Sequence, residues 1–158
     1  MTMKGENYPM RTIWFDMDGT IADLYGVQDW LPKLRASDPS PYTEAKPMLN
    51  FSLLARYLNK LKESGYEIGI ISWTSKGGSD KYNVDVMFAK LKWLDVHLPS
   101  VNWDDIHIVE YGVAKTSYMK ATDDILFDDC ESIRNEWNGD AYEPSEIMTI
   151  LKQLVNGE

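Results

Sequence analysis

A doubly wound parallel α/β sheet with a minimal cap insertion is the fold this sequence predicts, on three observations. Short apolar runs recur along the chain, each the length of a buried parallel strand. Segments with apolar residues at helical spacing lie between them, the alternation that builds parallel sheets covered on both faces. Two acidic pairs, Asp16 with Asp18 and Asp128 with Asp129, sit directly after such runs. Ligands of open parallel sheets bind beyond the carboxyl ends of the strands, so the chemistry falls where the fold would place it.

Taken in order, Thr12–Phe15 reads as the first buried strand. Leu53, Leu54, Tyr57, Leu58 and Leu61 share one helical face, and Gly65 is placed to stop that helix. Residues 67–72 read as a second strand. Met87, Leu91, Leu94 and Leu98 then repeat at helical spacing, with Pro99 closing the helix. Residues 106–109 and Ile125–Phe127 read as the third and fourth strands, and residues 141–142 as a short fifth. Ile147, Ile150, Leu151 and Leu154 mark a last helix. Residues 24–48 are different: Pro32, Pro39, Pro41 and Pro47 break the stretch up, and only the neighbourhood of Trp30, Leu31 and Leu34 suggests a helical turn or two. It leaves the sheet just after the first acidic pair and reads as a short lid or wall over the site, with a plain surface loop as the alternative, within a single domain spanning residues 1–158.

Composition narrows the function classes. With 158 residues, 44% of them hydrophobic, the chain can bury a real core. A net charge of −9 disfavours broad nucleic-acid or anionic-membrane binding, which needs basic surfaces. It leaves a small phosphorylated ligand open, because a bound cation inverts the local field. Cys130 is the single cysteine, so neither an internal disulfide nor a thiolate metal cluster can form. The first ten residues lack the apolar stretch of a signal peptide, and no apolar run approaches membrane-spanning length. A soluble, cytoplasmic protein is the expectation. Nothing in the sequence sets its oligomeric state.

Four pieces occur in order: Asp16 and Asp18, then Ser72 with Thr74, then Lys115, then Asp128 and Asp129. Phosphoryl transfer needs a nucleophile, an acid or base for the leaving group, a metal, and a cation over the equatorial oxygens. Asp16 is the candidate nucleophile, forming an aspartyl-phosphate, and Asp18 the candidate acid and base. Gly19 permits a sharp turn, which the Thr20 hydroxyl can brace. Mg²⁺ suits the donor set of Asp16, the Asp18 main-chain carbonyl and Asp129. Ser72 or Thr74 would offer a hydroxyl to a phosphate oxygen, and the sequence leaves the choice open. Lys115 would offset the repulsion between Asp16 and an incoming phosphate dianion.

Competing readings fare worse. An EF-hand loop fails on spacing, since the glycine comes at position four and Val27 stands where the bidentate glutamate should be. A receiver domain would carry a lone acceptor aspartate at its second site, where this chain has another pair. Asp128 and Asp129 could also cap the helix beginning near Cys130, a role compatible with metal binding. Lys76, Lys81 and Lys120 read as surface charges, His97 and His107 as structural, and the loop 76–79 as a connector. Tyr25, Trp30 and Trp73 are placed to pack, or to stack on a ring, beside the site.

The order DMDGT, IISWTS, Lys115, LFDD resembles the four motifs of the haloacid-dehalogenase (HAD) superfamily of phosphohydrolases, over residues 12–136. Within it, FDMDGTIAD, ILFDD and the Thr74-Ser75 pair are similar to the 5′(3′)-deoxyribonucleotidases. The resemblance implies a HAD-like Rossmannoid core, Mg²⁺ as cofactor, and the roles just given, with Asp129 as the direct metal ligand and Asp128 acting through water or orienting the shell. It implies a phosphomonoesterase acting on a small phosphorylated metabolite such as a nucleoside monophosphate. Where the nucleotidases carry a longer cap, this chain has only residues 24–48. The alternatives are a phosphatase of polynucleotide ends or phosphoproteins, a phosphotransferase, or a non-catalytic binding module of the same fold.

Overall fold

The computed structural model describes residues 11–157. At its centre is a five-stranded, wholly parallel sheet in the order β5-β4-β1-β6-β7. The strands are β1 (Thr12–Phe15), β4 (Glu67–Trp73), β5 (Asp105–Val109), β6 (Ile125–Phe127) and β7 (Asp140–Tyr142). All five strands read from the sequence are present, with β4 running one residue beyond the expected end. The chain moves outward from β1 to β4 and β5, then returns to lay β6 on the other side of β1. That reversal opens a crevice at the carboxyl ends of β1 and β6.

Alternation along the strands divides the core. Ile13, Phe15, Ile68, Ile70, Ile125 and Phe127 face α3 (Phe51–Glu63), the second half of α4 (Asp80–His97) and α6 (Ile147–Val155). Trp14, Ile71 and Leu126 face Ile133 of α5 (Glu131–Glu136) and Trp137. Helices therefore cover both faces, as parallel strands that are apolar on each side require.

The ends of α3 follow from its sequence. Asn50 Oδ1 accepts from Leu53 N at 3.1 Å, an N-cap. Gly65 adopts φ 103°, and the bonds Gly65 N to Lys62 O and Tyr66 N to Leu61 O form a Schellman motif, which explains why the glycine stops the helix. In α4 the buried face differs from the expected one. Tyr82, Val86, Ala89, Lys90, Trp93 and Leu94 are buried, whereas Met87 and Leu91 are only half-buried against the β5 edge. The helix serves two partners, the sheet with one half and the cap segment with the other.

The cap segment holds more structure than its prolines suggest. It carries α1 (Trp30–Arg35) and α2 (Ser40–Glu44), and its last strand, β3 (Lys46–Pro47), pairs antiparallel with β2 (Ala22–Asp23) just before the segment begins. Pro32 and Pro41 lie in the first turns of α1 and α2, where a missing N–H costs no hydrogen bond. Leu24 and Tyr42 pack on Tyr82, Val86 and Ala89, so the segment stands on the first half of α4. No described helix is long and apolar enough to cross a membrane.

Candidate active site

Strand register continues past the strand ends and positions the site. Asp16 N donates to Phe127 O at 3.0 Å, Thr74 N to Val109 O at 2.8 Å, and Asp128 N to Tyr142 O at 3.1 Å. Three side chains from β1, β4 and β6 are thus held by neighbouring strands. Beyond Asp16 the chain turns on Met17 O, which accepts from Thr20, Ile21 and Ala22 N. Gly19 sits in this turn at φ 78°, and a Cβ there would collide with the Asp129 carboxylate and the Tyr25 ring. Glycine is required twice over, by conformation and by contact.

Carboxylate oxygens of Asp16, Asp128 and Asp129 all lie within 4.8 Å of one another. This is a hard-oxygen donor set, and it fits a divalent cation of the Mg²⁺ type. Lys115, 4% exposed, donates to Asp16 Oδ1 at 3.0 Å and to Asp128 Oδ2 at 2.7 Å. Thr20, fully buried, ties the two acidic sites together rather than merely bracing its own turn. Its hydroxyl donates to Asp16 Oδ2 at 3.0 Å and accepts from Asp129 N at 3.2 Å. Asp128 is buried, and its Oδ1 accepts from Cys130 N at 2.9 Å; Cys130 is itself the N-cap residue of the helix that follows, and no side chain caps that helix, so the capping expected of the acidic pair is not found.

The electrostatics follow from packing four carboxylates together, with Asp16 and Asp128 buried, Asp18 half-buried and Asp129 exposed at the rim. Burial first, then the charge of Asp16, pushes the Asp128 carboxyl up to about 6 and that of Asp129 up to about 7. The Asp18 carboxyl is also raised by burial, against the opposing pull of Lys90. Burial would lower the Lys115 ammonium, but Asp16 and Asp128 outweigh it and the group is held above its usual range. Such a site favours either protons or a metal ion.

A cavity of about 900 Å³ opens over the cluster. Asp16, Asp18, Thr74, Lys115, Asp128 and Asp129 line it. Of the two candidate hydroxyls, only Thr74 does: its Oγ1 is buried and has no hydrogen-bond partner among the described residues. Ser72 lies on the same pleat face as Ile68 and Ile70, is fully buried, and its Oγ accepts from Lys90 Nζ at 2.7 Å. Sequence reading missed Lys90 altogether. Its ammonium, 1% exposed, also donates to Asp18 Oδ2 at 2.8 Å.

The cap segment contributes Leu24, Tyr25, Trp30, Leu34 and Tyr42 to the cavity wall. Tyr25 and Trp30 form an edge-on pair at 4.9 Å, and Trp73 and Tyr111 a tilted pair at 4.8 Å. All three aromatics singled out in the sequence therefore border the site. Lys76, exposed as its reading as a surface charge expects, borders the cavity together with Gly77 and Gly78. Asn83 holds that loop through Ser75 N and Gly78 O. His97 stacks near Trp93 and His107 on Tyr118, and neither lines the cavity.

No family model and no curated protein sequence matches the chain. Among solved structures it is similar to a protein from Vibrio cholerae, at 22% identity over 94% of this chain and 98% of that one, with a TM-score of 0.50. It is also similar to the D,D-heptose 1,7-bisphosphate phosphatase of Burkholderia thailandensis, at 15% identity over 80% of this chain and 71% of that one, with a TM-score of 0.48. The Vibrio likeness runs through nearly the whole of both chains and is a likeness of fold.

Proposed function

We propose that the chain is a Mg²⁺-dependent phosphomonoesterase of the HAD type, acting on a small phosphorylated metabolite through an aspartyl-phosphate on Asp16. The observation that carries this reading is the convergence of Asp16, Asp128 and Asp129 from two strand ends around the Lys115 ammonium. Asp16, Asp129 and the Asp18 main-chain carbonyl would hold the ion, with Asp128 supporting the shell. Bound there, Mg²⁺ would neutralise phosphate oxygens and so let an anionic nucleophile approach an anionic substrate.

The chain's own groups supply the rest. Lys115 orients Asp16 by its bond to Oδ1 and adds positive charge beside the phosphoryl group. Thr74 offers to a phosphate oxygen its hydroxyl, which is buried and has no partner among the described residues. An Asp16 oxygen forms a bond to phosphorus as the bond to the leaving oxygen breaks, and Asp18 delivers its proton to that oxygen. Water then attacks phosphorus and gives a proton to Asp18. The bond to Asp16 breaks, which releases inorganic phosphate and restores both carboxyl groups.

Residues 24–48 act as the lid. A nucleoside monophosphate is the leading substrate, because Tyr25, Trp30, Trp73 and Tyr111 line the cavity and bring aromatic rings beside the site. The test is a panel of phosphate esters, with 5′- and 3′-mononucleotides among them, assayed with Mg²⁺ and with EDTA. Turnover that EDTA abolishes and that Asp16→Asn removes supports the reading. Full activity in Asp16→Asn contradicts it.

A further inference from the structure

Lys90 is the one charged side chain of α4 that is fully buried, and the reaction sequence above does not use it. Its three ammonium protons have three acceptors: Asp18 Oδ2 at 2.8 Å, Ser72 Oγ at 2.7 Å and Trp73 O at 2.7 Å. The Tyr42 ring lies 5.2 Å from Nζ and covers the group from the cap side. Two of the acceptors belong to β4, which is paired on both sides within the sheet. The third is the side chain of Asp18, on the tight turn after β1. Among the described residues Lys90 is the only side chain that hydrogen-bonds the Asp18 carboxyl. Asp18 Oδ1 accepts no bond from them, and the residue lines the cavity.

We propose that Lys90 is the positioning residue of Asp18: anchored on the end of β4, it fixes one carboxyl oxygen so that the other faces the leaving group. This rests on the phosphomonoesterase reading. Without that bond the Asp18 carboxyl would have no hydrogen-bond partner among the described residues to stop it rotating. A full complement of acceptors gives the ammonium one orientation, and through it Asp18 takes its geometry from the sheet. It also explains why Ser72 is turned away from the cavity while Thr74 is not.

Leaving-group dependence tests it, since a nitrophenolate departs without a proton and an alkoxide does not. In Lys90→Met, single-turnover phosphoenzyme formation from an alkyl phosphate should fall ~100-fold or more, the scale of general-acid catalysis. From p-nitrophenyl phosphate it should fall less than ~10-fold, with KM for both esters little changed. Asp18→Asn should show the same pattern, and the double variant should be no worse than Asp18→Asn alone. Should Lys90→Met fail to fold, Ser72→Ala, which deletes one acceptor and no charge, should give the same pattern at smaller size. Equal losses on the two esters overturn the proposal. If the wild-type protein turns over neither ester, the function reading fails instead. The positioning role is then decided by crystal structures, where an unmoved Asp18 side chain in Lys90→Met overturns it.

Discussion

Lys115 and Asp16 meet at the carboxyl edge of the sheet, Nζ 3.0 Å from Oδ1, although 99 positions separate them in the chain. The same ammonium reaches Asp128 Oδ2 at 2.7 Å, so one buried cation serves two buried carboxylates. Replacing it leaves uncompensated charge. Lys115→Met should cost about 3 kcal/mol of unfolding free energy in EDTA at neutral pH, measured by urea denaturation. A loss below about 0.5 kcal/mol would show that the pair contributes nothing.

The raised carboxyls give stability a direction with pH. Asp128 and Asp129 hold their protons up to about 6 and about 7 in the folded protein, against 3.8 for an ordinary aspartate. The folded state therefore binds more protons than the unfolded chain between these limits. Their contribution is fully present below about pH 4 and is lost as pH rises through about 6 and about 7. In EDTA the melting temperature should fall across that window. Added Mg²⁺ should raise it by an increment that grows with pH, because the ion competes with those protons. Thermal scans between about pH 5 and about pH 8 measure this, and an increment independent of pH contradicts the shared site.

Gly19 should prove intolerant of a methyl group. A Cβ would enter the Asp129 carboxylate and strain a φ of 78°. Gly19→Ala should weaken Mg²⁺ binding by ~10-fold or more, the usual cost of disturbing a ligand's support. Calorimetric titration reads this directly, and unchanged affinity would mean Asp129 is not held by that turn.

Asp124 is a structural counterpart far from the chemistry. Fully buried, it accepts from Thr12 N at 2.9 Å, Trp14 Nε1 at 3.1 Å and Lys120 N at 2.8 Å. Asp124→Ala strands these donors and should destabilise the protein by ~3 kcal/mol or more while sparing the site. Denaturation together with an ester assay at low temperature separates the two effects.

The sheet and the acidic pairs were legible because apolar runs ending in paired carboxylates depend only on local sequence. The hydroxyl was half legible. Ser72 and Thr74 sit two positions apart, and strand β4 runs through Trp73, which sends Ser72 inward to Lys90 and leaves Thr74 at the rim. Lys90 itself was hidden, because a lysine in a helix reads as solvent-facing unless its acceptors are known. Those acceptors lie on β4 and on the turn after β1. Asp124 was hidden for the same reason. In the cap segment, two of the prolines taken as breakers, Pro32 and Pro41, occupy helix first turns, and β2 with β3 is too short to show alternation.

The most direct measurement is an acid-quenched turnover of a phosphomonoester in Mg²⁺, followed by mass spectrometry of the peptide spanning residues 12–33. A phosphoryl group on Asp16 in the wild-type protein, and none there in Asp16→Asn, is the predicted result. Turnover with that peptide never phosphorylated, even when Asp18→Asn slows its release, would contradict the account.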